Sequence, residues 1–251
     1  MLSSSFGEYK EAIGILENTS KHTSLIEEAI KNKILPKLSH RRRFLDVGAG
    51  AGKVTKNLQN QFNEITAIEI NPELKDAYAQ TKIKLYNCDF MKAELEGKFD
   101  LVLCSHVMYH LNKSEMLLFI DKLLSLVSPG GYCLIALMAS RGQNHEFHEA
   151  FNPDYINSKQ IIAILNERQI EYERIEAHNS FTTDNVYSMR SLLKFFAIED
   201  CQTKSTKNLS TEEIKRIEVT VEQQAIGCSK EKGFELQQEE DYFIVPGLKK
   251  E

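Results

Sequence analysis

The chain has 251 residues, 42% of them hydrophobic, which is enough to bury a substantial core and excludes collagen-like, fibrous and disordered classes. Its 31 Lys and Arg against 36 Asp and Glu give a net charge of −5, so no general polyanion-attracting field is expected and no nucleic-acid partner is indicated. The longest nearly unbroken apolar stretch, 132–139, is far short of the roughly 20 residues of a spanning helix, and the Met-Leu-Ser-Ser-Ser start lacks the basic flank and apolar core of a signal peptide. A soluble cytoplasmic protein is expected, acting as a monomer without a membrane partner.

In chain order, residues 8–38 carry Tyr9, Ile13, Leu16, Leu25, Ile26, Ala29, Ile30 and Ile34 about three to four apart. Two short amphipathic helices broken near Asn18-Thr19-Ser20 fit this spacing. From 43 to 138, short apolar or β-branched runs alternate with helical periods, the pattern of a parallel sheet covered by helices. Strands are predicted at 44–47, 65–70, 83–86, 99–105 and 132–138. Helices are predicted at 53–61, 72–80 and 114–127. Pro72 sits at a first-turn position, Ser114 is taken as a cap, and Ser128-Pro-Gly-Gly131 stops the third helix. Beyond the sheet, helices are expected at 158–167, 186–198 and 210–226, strands at 171–177 and 240–245, and a loop at 201–209.

The five cysteines, at 88, 104, 133, 201 and 228, form no Cys-x-x-Cys pair and read as small hydrophobes. His145 and His148 have a helical ligand spacing, but the polar Gln-Asn-His-Glu-Phe-His-Glu around them points to a solvated loop or helix face and not to metal. No metal site is expected. The basic His40-Arg41-Arg42-Arg43 run reads as a solvated strand entry, because the acidic chain has no aromatic-interleaved basic stripe.

Arg43-Phe-Leu-Asp-Val-Gly-Ala-Gly-Ala-Gly-Lys-Val-Thr55 is a strand followed by a loop containing Gly48, Gly50 and Gly52 and then a helix. Glycines suit a sharp exit from a sheet and close approach of a ligand to the backbone. A P-loop is excluded, since the spacing before Gly52-Lys53 is wrong and Val54 stands where a magnesium-binding hydroxyl is needed. Glu69 closes the second strand, where a carboxylate can accept two ribose hydroxyls. Asp46 can hold the loop or a cationic amino group. Asp89 is placed to accept from an adenine amine or to cap a loop.

These features, with the strand at 99–105 and the Ser128-Pro-Gly-Gly131 turn, resemble the class I S-adenosylmethionine-dependent methyltransferases over residues 43–138. The resemblance implies an α/β fold: a doubly wound, Rossmann-like, seven-stranded, mostly parallel sheet with an antiparallel last strand, and helical additions over the substrate side. It implies one domain, 1–251, made of an N-terminal cap (1–40), a cofactor-binding core (41–139) and a remainder with helical insertions (140–251). The implied cofactor is S-adenosyl-L-methionine, held by Asp46, Gly48, Gly50, Glu69, Asp89, Phe90 and Ser105.

Outside the core the chain is similar to histamine N-methyltransferase and its relatives. The matching parts are Glu8-Tyr9-Lys10, Asn18-Thr-Ser-Lys-His22, Ile34-Leu-Pro36, His106-Val-Met-Tyr-His110, residues 155–160 and 169–172, Leu192-Leu-Lys-Phe195 and Tyr242-Phe-Ile-Val245. In that family an acidic residue, a glutamine and an asparagine hold the substrate, and His22, His106 and Gln238 stand at those positions here. The aligned positions therefore offer no buried carboxylate for a protonated amine, and weak or no activity on histamine itself is expected. His22 reads equally as a solvated helix residue. His106 follows an apolar strand at its ligand-binding end and is the candidate to orient the acceptor or take its proton. Tyr9, Tyr109 and His110 complete the candidate substrate set, with the Tyr109 ring available to a cation. The expected reaction is methyl transfer to a small-molecule acceptor, an amine or imidazole. The alternatives are an RNA or protein methyltransferase and a non-catalytic binder of the cofactor.

Overall fold

The computed structural model describes residues 14–16, 18–204 and 209–247. Seven strands, β1 Arg43–Val47, β2 Glu64–Ile68, β3 Lys84–Tyr86, β4 Phe99–Ser105, β5 Val127–Met138, β6 Glu173–Thr183 and β7 Phe234–Pro246, form one sheet in the order β3-β2-β1-β4-β5-β7-β6. Strands β3, β2, β1, β4 and β5 pair in parallel, whereas β7 runs antiparallel to β5 with Met138 opposite Glu240. This is the seven-stranded, mostly parallel α/β sheet expected from the sequence.

The central strands read as continuous apolar runs because both of their faces are covered. Leu101, Leu103, Leu134, Ala136, Tyr242 and Ile244 lie on one face, where they cluster with Ile26, Ile30 and Ile34. The last three are spaced by four, and Ile26 belongs to helix α1, His22–Ala29. Val102, Cys104, Cys133, Ile135, Phe243 and Val245 face the other way and pack with α3, Lys113–Ser125, and α5, Ser158–Glu167. The remaining helices are α2 Lys53–Asn57, α4 Gln143–Phe151, α6 Val186–Lys204 and α7 Thr211–Gly227.

Packing divides the described chain into two compact units. One comprises 22–138, 156–177 and 240–247, and contains the parallel core. The other comprises the described residues up to 21 together with 139–155 and 178–239. Its core joins Phe147 and Phe151 of α4 to Phe181, Leu192, Phe196, Ile217 and Val221. In this unit His148 is buried and its Nδ1 lies 2.7 Å from Asp200 Oδ2, and His145 bonds the Tyr155 hydroxyl. The solvated reading of the 143–149 stretch is thus corrected: α4 turns Phe147 and His148 inward. The four-residue spacing from Phe147 to Phe151 gave that apolar face.

Several boundaries moved for local reasons. Strand β2 ends at Ile68 and not at Ile70, because the Ile68 carbonyl turns to accept from the N–H groups of Gly48 and Ala49. The helix predicted at 114–127 starts one residue earlier, and its cap is Asn112 and not Ser114. Asn112 and Glu115 bond each other's backbone N–H in a capping box. Strand β5 begins at Val127 and absorbs the predicted Pro-Gly stop. Helix α6 continues to Lys204, into the predicted loop. Among the described residues no helix is long and apolar enough to cross a membrane.

Candidate active site

The carboxyl ends of β1, β2, β3 and β4 meet at one edge of the sheet, and between β1 and β4 the strand order reverses, which opens a crevice in sheets of this kind. Gly48, Gly50 and Gly52 take φ of 70°, 56° and 74°, the left-handed conformation that carries the chain out of β1 and into α2. A Cβ at Gly48 would lie 2.3 Å from Val107 Cγ2, whereas one at Gly50 would meet open space. The loop is fastened by side chains: Glu69 Oε2 accepts from the Gly50 N–H and its Oε1 from the Asn71 N–H, each at 2.8 Å. Tyr78 donates to the Gly50 carbonyl at 2.8 Å.

Asp46 is buried beneath this loop and accepts from the Thr55 hydroxyl. Burial pushes its carboxyl up to about 7, opposed by the Thr55 bond and reinforced by the nearby Glu69 charge. Of the two roles expected for Asp46, the structure displays the loop-holding one. Asp89 accepts from the Met91 N–H as the cap of a short turn. Phe90 faces inward, 4.7 Å from the ring of Phe119.

Past the end of β4, beside Glu240 in the middle of β7, a second polar group assembles. His22, the first residue of α1, places Nδ1 3.1 Å from Glu240 Oε2 and Nε2 2.6 Å from Ser105 Oγ. His106 Nε2 lies 3.1 Å from His22 Nδ1 and 3.5 Å from Glu240 Oε1. The second ring nitrogen of His106 bonds the Tyr109 hydroxyl, which also accepts from the Met138 N–H at 2.9 Å. Tyr242 donates to Glu240 Oε2 at 2.8 Å. His106 holds φ of 54°, a left-handed conformation unusual outside glycine that is stored at functional positions, and its N–H is tied to the Ala136 carbonyl.

Glu240 is 0% exposed. Burial alone would raise its carboxyl, but the imidazoles of His106 and His22 outweigh it and hold the group well below the usual carboxylate range. His22 is pulled down, first by burial and then by His106, with Glu240 opposing.

A family model described as "Methyltransferase domain" matches residues 21–196, well over half of the chain. This chain belongs to the methyltransferase-domain family. It is similar to the ubiquinone biosynthesis O-methyltransferase of Xanthomonas campestris pv. campestris, 28% identical over 104 residues that cover 38% of this chain and 43% of the relative. The match thus spans under half the length of such relatives. Its fold is shared by the N-methyltransferase NodS of Bradyrhizobium japonicum WM9, solved with S-adenosyl-L-homocysteine, at TM-score 0.51 and 16% identity over 90% of this chain and 86% of that one. It is shared too by a cyclopropane-fatty-acyl-phospholipid synthase-like protein of Lactobacillus casei, at TM-score 0.60 and 12% identity over 98% and 94%. At these identities the likeness is one of fold.

Within this methyltransferase-domain chain, the structure brings together the glycine loop, Asp46 and Glu69 on one side and Ser105, His106, Tyr109 and His22 on the other. Gln238 belongs to the other compact unit, where it is buried and accepts from Asn144 at 2.7 Å. Tyr9 lies outside the described residues, as does the side chain of His110. The expectation of no buried carboxylate is corrected: Glu240 supplies one. Glu240 lies on β7, more than 200 residues from the N-terminal segment in which the resemblance implies an acid, so position in the sequence does not disclose it. The available signal was a charged residue on the same strand face as Tyr242 and Ile244. His22, His106 and Glu240 each bring one possible ligand atom to within 4.8 Å of the others. Arg41 and Arg43 of the basic run are engaged locally, Arg41 with Gln61 and the Leu35 carbonyl and Arg43 over the Phe99 ring at 4.3 Å, as a strand entry would have it.

Proposed function

We propose that this chain is an S-adenosyl-L-methionine-dependent methyltransferase with a small-molecule acceptor, a small amine or imidazole-type compound, and that 1–251 works as one methyltransferase domain. The observation that carries the reading is the glycine loop at the strand-order reversal, open above Gly50 and backed by Glu69, with a polar cluster formed past the end of β4 and on the middle of β7. The donor set fits the cofactor. Each Glu69 oxygen accepts one backbone N–H and keeps a lone pair for a ribose hydroxyl. Ile70, two residues past β2, and Met91, in the turn Phe90–Lys92 beyond β3, are 68% and 40% exposed and offer apolar surface to a purine. Gly48, Gly50 and Asp89 complete the set, with the backbone near Ser105.

When bound, S-adenosyl-L-methionine supplies a methyl group already activated by its sulfonium charge. The protein's work is then alignment and exclusion of water, and no covalent protein intermediate is needed. His106 projects from the left-handed residue just past β4 and orients the acceptor or receives the proton it releases. Glu240, pinned by Tyr242 and His22, stabilises positive charge there. His22, His106 and Gln238 replace the residues that hold histamine in the family the sequence resembles, so activity on histamine itself is weak or absent.

Incubation with cofactor labelled in the methyl group, against small amines, imidazoles, phenols and bulk RNA, tests the reading. Label in an amine or imidazole is the expected result. Label confined to RNA or protein would contradict a small-molecule acceptor, and no label with any of them would leave a binding-only protein.

A further inference from the structure

We propose that His22, His106 and Glu240 form a binding site for one divalent transition-metal ion of the zinc class. The inference goes beyond methyl transfer and stands whether or not the chain catalyses it.

Donor atoms of three residues from distant parts of the sequence converge: His22 Nδ1 and Glu240 Oε2 at 3.1 Å, His22 Nδ1 and His106 Nε2 at 3.1 Å, and His106 Nε2 and the other carboxylate oxygen, Glu240 Oε1, at 3.5 Å. Ligands about 2.1 Å from an ion are separated by about 3.0 Å in octahedral and about 3.4 Å in tetrahedral arrangement, and one ligand atom from each residue already lies within 4.8 Å of the other two, so small side-chain rotations reach that size. The ligand set of two imidazoles and one carboxylate suits zinc, cobalt(II) and iron(II), and is unlike the all-oxygen sets of calcium or magnesium.

The surroundings point the same way. Each imidazole has an inner nitrogen at the convergence and an outer nitrogen on a hydroxyl, Ser105 for His22 and Tyr109 for His106. Tyr109 is itself fixed by the Met138 N–H. Outer partners of this kind set the ring orientation and the tautomer of metal-ligating histidines. One nitrogen of each ring and the Glu240 carboxylate thus converge on one point. A cation at that point would meet a donor from each of the three residues. The strained backbone of His106, at φ 54°, serves to aim its ring into this point. Three protein ligands leave a coordination position open, as in catalytic and not structural sites, for water or a lone pair of the acceptor.

The test uses the untagged 251-residue chain, stripped with a chelator and titrated with Zn²⁺ by calorimetry and with Co²⁺ by visible absorption. One Zn²⁺ per chain is expected, competing with a chromogenic chelator, together with Co²⁺ bands that Zn²⁺ abolishes. Glu240→Gln and His106→Asn should each weaken Zn²⁺ by about 100-fold or more. His22→Asn, at the start of its helix and clear of the Ile26 packing, should do the same with an unchanged circular dichroism spectrum. Binding of S-adenosylhomocysteine by the stripped protein is measured in parallel, so failure of the metal site and failure of the cofactor reading are told apart. The proposal is overturned if stripped wild type binds neither ion, or if the three variants bind Zn²⁺ as tightly as wild type.

Discussion

Asp46 and Glu240 are both buried carboxylates on strands of the same sheet, yet their surroundings drive them in opposite directions. Asp46 meets a hydroxyl, apolar neighbours and the charge of Glu69, and burial raises it to about 7. Glu240 meets two imidazoles, and they lower it despite equally complete burial. The first therefore acts as a neutral or weakly charged clamp on the glycine loop, through Thr55 of α2. The second is a fixed negative charge toward which two rings are aimed. Burial sets only the cost of the charge. The partners decide whether a carboxylate becomes a structural bolt or a reactive centre.

The largest expected effect breaks this contrast from the Asp46 side. The folded-state value of about 7 lies above the ordinary 3.8, so between them the folded chain keeps a proton that the unfolded chain has released. The Asp46 contribution to stability is then complete below about 3.8 and lost as pH rises through about 7. Between pH 5 and 8 the loss amounts to about 3 kcal/mol. Urea unfolding of wild type and Asp46→Asn at pH 5, 6.5 and 8 measures it as the difference between the two profiles. Parallel profiles would mean that Asp46 is ionised in the folded state.

From the cluster side, His106→Ala is expected to lower turnover by about 100-fold on the acceptor found by screening, about 3 kcal/mol of barrier, while affinity for S-adenosylhomocysteine stays within about twofold. Unchanged turnover and Michaelis constant would remove His106 from the chemistry. A smaller effect separates two glycines of one loop. Gly48→Ala combines left-handed strain with a clash on Val107 and should cost about 2 kcal/mol. Gly50→Ala carries the strain into open space and should cost about 1 kcal/mol, in urea unfolding. Equal costs would show that Val107 yields freely.

The two regions also differ in how legible they were. The loop and its acids are local: Gly48 follows β1 directly, Glu69 is the residue after β2, and Asp89 comes three after β3. A parallel sheet then aligns strand ends without further information, which is why that half could be placed from sequence. Glu240 depends on where β7 inserts and on its register against Met138, neither of which leaves a local trace. The pairing of His148 with Asp200 was hidden for the same reason, the partners standing 52 positions apart. Some misses were avoidable. Asn112 and Glu115 spell a capping box that Ser114 obscured, and Ser114 in fact bonds Asn112. The Pro-Gly pair at 129–130 signals a turn by composition, yet β5 begins at Val127 and runs through it.

The central claim is that cofactor affinity resides in the glycine loop and Glu69, while the histidine and carboxylate cluster serves the acceptor. Calorimetric titration of S-adenosylhomocysteine into wild type, Glu69→Ala and Glu240→Gln tests it most directly. Wild type is expected to bind it and not NAD, Glu69→Ala to lose about 1 to 3 kcal/mol of affinity, and Glu240→Gln to bind within about twofold of wild type. Tight NAD binding without S-adenosylhomocysteine binding, or a loss in Glu240→Gln as large as that in Glu69→Ala, would contradict the account.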